Sequence, residues 1–126
     1  YVGGFYGNNS EEAMMREIVA HGPITVAFES PRELFYYSGG IFTGPKPAKE
    51  TQVPGVRPWY HTNHAVVAVG YGVDAATGQK YWILRNSWGK KWGDNGYFKL
   101  RRGTDECGAE SMSVTLRVKG AAPNKF

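Results

Sequence analysis

The chain has 126 residues, 41% hydrophobic and 14% aromatic, which supplies enough apolar surface for one packed core and excludes a disordered segment. Its net charge of +4 lies in short clusters at Lys90-Lys91, Lys99 to Arg102 and Arg117 to Lys119, set between strand-like segments. That is the pattern of solvated faces rather than of a basic stripe with interleaved aromatics, so it argues against nucleic-acid binding. No run approaches the roughly 20 apolar residues of a membrane span, and Tyr1-Val-Gly-Gly-Phe-Tyr-Gly7 lacks the basic and apolar regions of a signal peptide. Seventeen glycines and seven prolines favour turn-rich β structure over long helices.

In chain order, Asn8-Asn9-Ser10 is an N-x-Ser acceptor that makes Asn8 a glycosylation candidate, and Ser10 reads equally as a helix N-cap. Glu11-Glu12 and the following run, with Met14, Ile18 and Val19 on one side, predict a short amphipathic helix closed by His21-Gly22 and stopped by Pro23. Ile24 to Phe28 is β-prone, Pro31 to Tyr37 is ambiguous, and Gly39-Gly40 leads into Ile41-Phe42. Residues 43–60, Thr43 to Tyr60, carry Pro, Lys, Gly and polar residues without period and predict a long exposed loop, a natural processing region. Beyond it, strands are expected at Ala65 to Tyr71, Lys80 to Arg85, Tyr97 to Arg102 and Ser111 to Val118, in a curled antiparallel sheet.

Two residues in this β-rich part stand out. His64 opens the first of these strands and Asn86 closes the second; their midpoint is residue 75, inside the connecting turn, so they are expected as cross-strand neighbours. An imidazole shuttles protons near neutral pH only if its ring is held in one tautomer, and an amide oxygen accepting from a ring N–H can do that. A lone histidine is more often structural than catalytic; the orienting amide opposite it and Trp88 just behind change that balance. Trp88 is either plain core packing or a shield over a His–Asn hydrogen bond. His21 at a helix end and His61 in a loop are read as incidental. The single cysteine, Cys107, excludes an internal disulfide. It follows Asp105 and Glu106, whose charges raise a thiol pKa, so it is expected to be a structural thiol and not a nucleophile.

Asn63-His64-Ala65-Val66 with Gly70-Tyr71-Gly72, and Arg85-Asn86-Ser87-Trp88-Gly89 with Trp92-Gly93 and Asn95-Gly96-Tyr97, resemble the histidine and asparagine motifs of the papain-like cysteine proteases. Tyr1 to Gly7, and Arg101-Arg-Gly-Thr-Asp-Glu-Cys107 with Glu110-Ser111, resemble the cathepsin C (dipeptidyl peptidase I) branch of that family. The resemblance implies an α+β papain-like fold in which residues 1–126 form the β-rich half of a two-domain enzyme. The other half, a separate N-terminal chain, would bring the nucleophilic cysteine, roughly 130 residues or more before the histidine and so about 70 before Tyr1. His64 is then the general acid/base and Asn86 its orienting partner, the Cys-His-Asn variant of the triad.

By the same resemblance Trp88 borders the leaving-group side, and Ala27, Asn63, Ala65 and Met112 lie near the pocket for the second residue before the scissile bond. Plain strand packing is the alternative for Ala27 and Met112. The implied activity is release of N-terminal dipeptides in a lysosome, vacuole or after secretion, by an oligomer with an added exclusion domain that restricts peptide substrates. Residues 43–60 match the region where heavy and light chains are cut apart. No metal or organic cofactor is implied. A chloride linked in relatives with a tyrosine just after the strand is argued against by Pro31, which stands there. The competing expectation is a catalytically inactive relative that uses the same fold as a binding or structural module.

Overall fold

The computed structural model of the chain describes residues 1–45 and 61–120. The helix α1, Glu11–His21, begins where the sequence places it: Ser10 is extended (φ −156°, ψ 160°) and its Oγ accepts from the Ala13 N–H at 3.2 Å. Glu11 and Glu12 put negative charge in the first turn, where the helix dipole favours it. Gly22 ends the helix at φ 97°, a conformation that suits glycine, and its N–H returns to the Ile18 carbonyl. Met14 and Ile18 face the core. Val19, expected beside them, is 45% exposed: five residues on from Met14, it has turned out of the buried stripe.

Six strands form one sheet: β1 (Ile24–Phe28), β2 (Ile41–Phe42), β3 (His64–Val73), β4 (Lys80–Arg85), β5 (Tyr97–Arg101) and β6 (Ser113–Val114), in the order β2-β5-β4-β3-β1-β6. The expected antiparallel sheet holds at every pairing except one, for β2 runs parallel to β5 at an edge. Among the described residues the sheet is open and does not close into a barrel. The ambiguous stretch after β1 is a 3-10 helix at Arg32–Tyr36 whose Leu34 is fully buried. Of the loop expected at 43–60, residues 46–60 lie outside the described residues.

One face of the sheet packs α1 over a core of Trp82, Phe28, Phe98, Met14, Leu84 and Leu100. Strand β6 is far shorter than the expected Ser111 to Val118, and Leu116 (90% exposed) and Val118 (75% exposed) pack against nothing among the described residues. Arg102 departs from the solvated cluster expected for it. It is buried, donates from Nη1 to Glu11 Oε1 at 2.5 Å and from Nη2 to the Gly72 carbonyl at 3.2 Å, and lies over the Tyr71 and Trp82 rings. It ties α1 to the far end of β5.

Candidate active site

His64 opens β3 and Asn86 follows the last residue of β4. The ladder pairs Val67 with Arg85 and Ala68 with Leu84, so one further step sets Asn86 opposite Val66, and His64 lies two residues on, diagonally across the same face. Direct opposition, expected from a turn centred at residue 75, is thus displaced. Val73 pairs with Lys80, which centres the turn between Ala76 and Thr77, and the register shifts between Ala68 and Gly70. Asp74 sets that turn: its Oδ1 accepts from the Ala76 and Thr77 N–H groups at 3.0 and 2.8 Å. A diagonal pair is still within reach of two planar polar side chains.

His64 Nε2 and Asn86 Oδ1 are 2.9 Å apart. The same Oδ1 accepts from the Ser87 backbone N–H at 2.8 Å. A backbone amide can only donate, so that atom is the carboxamide oxygen, and the imidazole nitrogen facing it must carry a hydrogen. The neutral ring is thereby fixed as the Nε2–H tautomer, with the lone pair on Nδ1. Asn86 is buried and its own N–H donates to the Gly96 carbonyl at 2.9 Å, which anchors the amide that anchors the ring. Its Nδ2 is buried with no partner among the described residues.

Rings cover this pair. Trp88 stacks on His64 with centroids 5.2 Å apart and planes 23° apart, and Phe28 leans on the imidazole at 5.7 Å. Phe35, which no motif or spacing singles out, lies on Trp88 at 4.5 Å with planes 3° apart. Trp92 meets Trp88 edge-on at 4.9 Å and donates its Nε1–H to the Phe35 carbonyl at 3.2 Å. Apolar rings around a half-buried hydrogen bond keep water from competing for it.

Of the expected substrate-contact residues, Trp88 stacks on His64, while Ala27, Ala65 and Met112 come together on neighbouring segments. Ala27 pairs with Ala65, and the Ala27 N–H donates to the Met112 carbonyl at 3.3 Å, so these three share one patch. Ala27 and Ala65 alternate along their strands with the buried Val26, Phe28 and Val66. Asn63 is exposed next to His64, and its Oδ1 accepts from the Ser30 N–H at 2.8 Å. A shallow open depression beside that patch is lined by Thr25, Ala65, Val66, Val67, Arg85, Asn86 and Ser87. Pro31 offers neither a hydroxyl nor an N–H to donate to an anion. Asn8 is exposed, its Nδ2 donating to the Gly3 carbonyl at 2.5 Å. Among the described residues no group of three or more His, Cys, Asp or Glu side chains is placed to hold a metal ion.

Cys107 is half-buried in a tight turn with φ +54°, and a Cβ placed on Gly44 would come within 2.3 Å of its sulfur, so only glycine fits there. Burial, and then the charges of Glu106, Glu29 and Asp105, push its thiol up to about 12, which leaves it protonated at any physiological pH. The turn is built on buried carboxylates that sequence reasoning missed. Glu110 accepts from the Trp82 indole N–H and the Gly103 and Asp105 N–H groups, and Glu106 accepts from Gly44 N–H and from Arg101 Nε. Burial raises the Asp105 carboxyl above its ordinary value, against hydrogen bonds from Ser111 and the Glu110 N–H that lower it. Outside the Cys107 turn, His21 pairs with Glu17 on α1, and His61 is exposed.

Comparison with known proteins gives a consistent result. Residues 3–116 match the family described as papain family cysteine protease. The chain is 45% identical over 114 residues to cathepsin C of Schistosoma mansoni, covering 90% of this chain and 25% of that protein. To dipeptidyl aminopeptidase 1 of Plasmodium falciparum it is 41% identical over 130 residues, covering 92% of this chain and 19% of that one. Among solved structures, the bromelain protease of Ananas comosus in complex with the E64 inhibitor superposes with a TM-score of 0.66 at 38% identity, over 83% of this chain and 44% of that one. The chain therefore spans a quarter or less of the length of these two curated relatives.

Proposed function

Because this chain belongs to the papain family of cysteine proteases, we propose that it supplies the acid–base half of a Cys-His-Asn peptidase site, completed by a cysteine from a separate N-terminal chain. The observation that carries this is the doubly accepting Asn86 oxygen, which commits Nε2 to the amide and leaves Nδ1 as the only basic atom of His64. A thiol brought against Nδ1 loses its proton to it, and the thiolate–imidazolium pair attacks a peptide carbonyl. The Nδ1–H then protonates the leaving amine as the C–N bond breaks. In the second half-reaction Nδ1 takes a proton from water, the hydroxide attacks the thioester, and the sulfur leaves. Asn86 keeps the ring from turning its occupied edge towards the sulfur.

Release of N-terminal dipeptides is the finer assignment, supported by 45% and 41% identity to proteins named cathepsin C and dipeptidyl aminopeptidase 1. In that setting the Ala27, Ala65 and Met112 patch contacts the second residue before the scissile bond, with Asn63 at its rim and Trp88 on the leaving-group side. Small Ala27 and Ala65 leave room there for a bulky side chain. The compartment is a lysosome, a vacuole or the exterior, and the glycosylation acceptor at Asn8 fits any of these routes; no described helix is long and apolar enough to cross a membrane. An exclusion domain and an oligomeric assembly belong to the same proposal.

The test is His64→Ala in the assembled protease. Hydrolysis of a dipeptidyl substrate should fall by at least roughly 10² to 10⁴ with assembly unchanged, the range for loss of general acid–base catalysis. Unchanged hydrolysis would defeat the proposal. Serine or glycine in place of the partner's cysteine would instead make this chain part of a binding module.

A further inference from the structure

Trp88 has an unusual way of being held. The other two described indoles, Trp82 in the core and Trp92 beside Trp88, donate hydrogen bonds to Glu110 and to the Phe35 carbonyl, whereas no hydrogen bond from the Trp88 indole N–H is made among the described residues. Its position over His64 rests on ring contacts with His64, Phe35 and Trp92 and on packing against the edge of the core. Of these, the Phe35 contact is the shortest and the nearest to parallel, 4.5 Å and 3°.

Phe35 is 59% exposed, so burial does not explain a ring laid flat on another. Its backbone, by contrast, is fixed on every side. Leu34 is fully buried, the Phe35 carbonyl is held by Trp92, and the Tyr37 hydroxyl donates to the Gly40 carbonyl at 2.6 Å while accepting from the Lys99 N–H at 3.2 Å. The 3-10 helix Arg32–Tyr36 thus presents Phe35 to Trp88 from a rigid base.

We propose that Phe35 is a positioning residue: stacked on Trp88, it holds the indole over the His64–Asn86 hydrogen bond and keeps water out of it. This rests on the peptidase function proposed above, but its action is on the imidazole N–H and is measurable without turnover. Loss of one stacked aromatic contact corresponds to about a three- to tenfold change in an equilibrium or rate.

The experiment uses the assembled protease carrying Phe35→Ala, Phe35→Tyr or Phe35→Leu. With the partner cysteine blocked, the solvent-exchange rate of the His64 Nε2–H is followed by NMR; with it free, turnover is measured on a dipeptide amide, whose ammonia leaving group carries no ring or side chain for Phe35 to touch. Phe35→Ala should speed exchange about three- to tenfold and lower kcat by a similar factor with KM unchanged, and Phe35→Tyr should restore both. Should the alanine form fail to fold, Phe35→Leu, which keeps apolar cover but not the flat stack, should show the same direction. Unchanged N–H exchange in the folded variants, a loss carried by KM alone, or no rescue by tyrosine would overturn the proposal. Hydrolysis that survives His64→Ala would sink the peptidase function instead and leave the exchange measurement to decide the role of Phe35.

Discussion

Alkylation of Cys107 separates a structural thiol from a reactive one. An ordinary thiol at the reference value of 9.0 is about one-tenth thiolate at pH 8, whereas one pushed up to about 12 is about one part in ten thousand thiolate. Since the thiolate is the species that reacts, iodoacetamide should modify Cys107 in the native protein about 10³ times more slowly than in the unfolded chain. Peptide mapping by mass spectrometry at pH 8, with and without denaturant, reads both rates and keeps Cys107 distinct from any partner cysteine. Glu106→Gln removes the charge that ranks second among the causes, so it should raise the native rate while leaving it well below the unfolded one, because burial, the largest cause, persists. The same shift has a stability consequence. Between pH 9 and about 12 the unfolded chain releases a proton that the folded chain retains, so this thiol's contribution is complete below pH 9 and is lost as pH rises through that window. Native alkylation within tenfold of the unfolded rate would refute the electrostatic account of the turn.

Two further substitutions test the site and the scaffold. Asn86→Ala strands the His64 Nε2–H and the Ser87 N–H, and should lower kcat/KM of the assembled protease by about 10- to 100-fold, the cost of one or two unsatisfied half-buried donors; less than a twofold change counts against an orienting role. Arg102→Met removes donors from Glu11 and the Gly72 carbonyl and should destabilise by about 2–4 kcal/mol in denaturant unfolding, with Arg102→Lys recovering only part because an ammonium lacks the guanidinium fork. A loss under about 1 kcal/mol would mean that Arg102 is solvated after all.

Local chemistry made much of this protein legible in its sequence. Ser10, Gly22 and Pro23 bound a helix by capping and steric rules that act within a few residues, and short apolar runs punctuated by turn residues mark the strands β1, β3, β4 and β5. His64 and Asn86 were readable as a pair because a hairpin converts sequence separation into distance, and the motifs around them carried the family.

What the sequence left undecided depends on atoms far apart along the chain. A turn displaced towards Thr77 made the His64–Asn86 contact diagonal, since register is set by hydrogen bonds inside the turn and not by its midpoint. Arg102 reads as a surface charge because its partners Glu11 and Gly72 lie 91 and 30 residues away, and Phe35 shows no local sign of its stack on the indole of Trp88, far downstream. Propensity and spacing fix what a segment becomes; only the packed fold decides what it touches, because contact energies are gained after the chain has closed its loops.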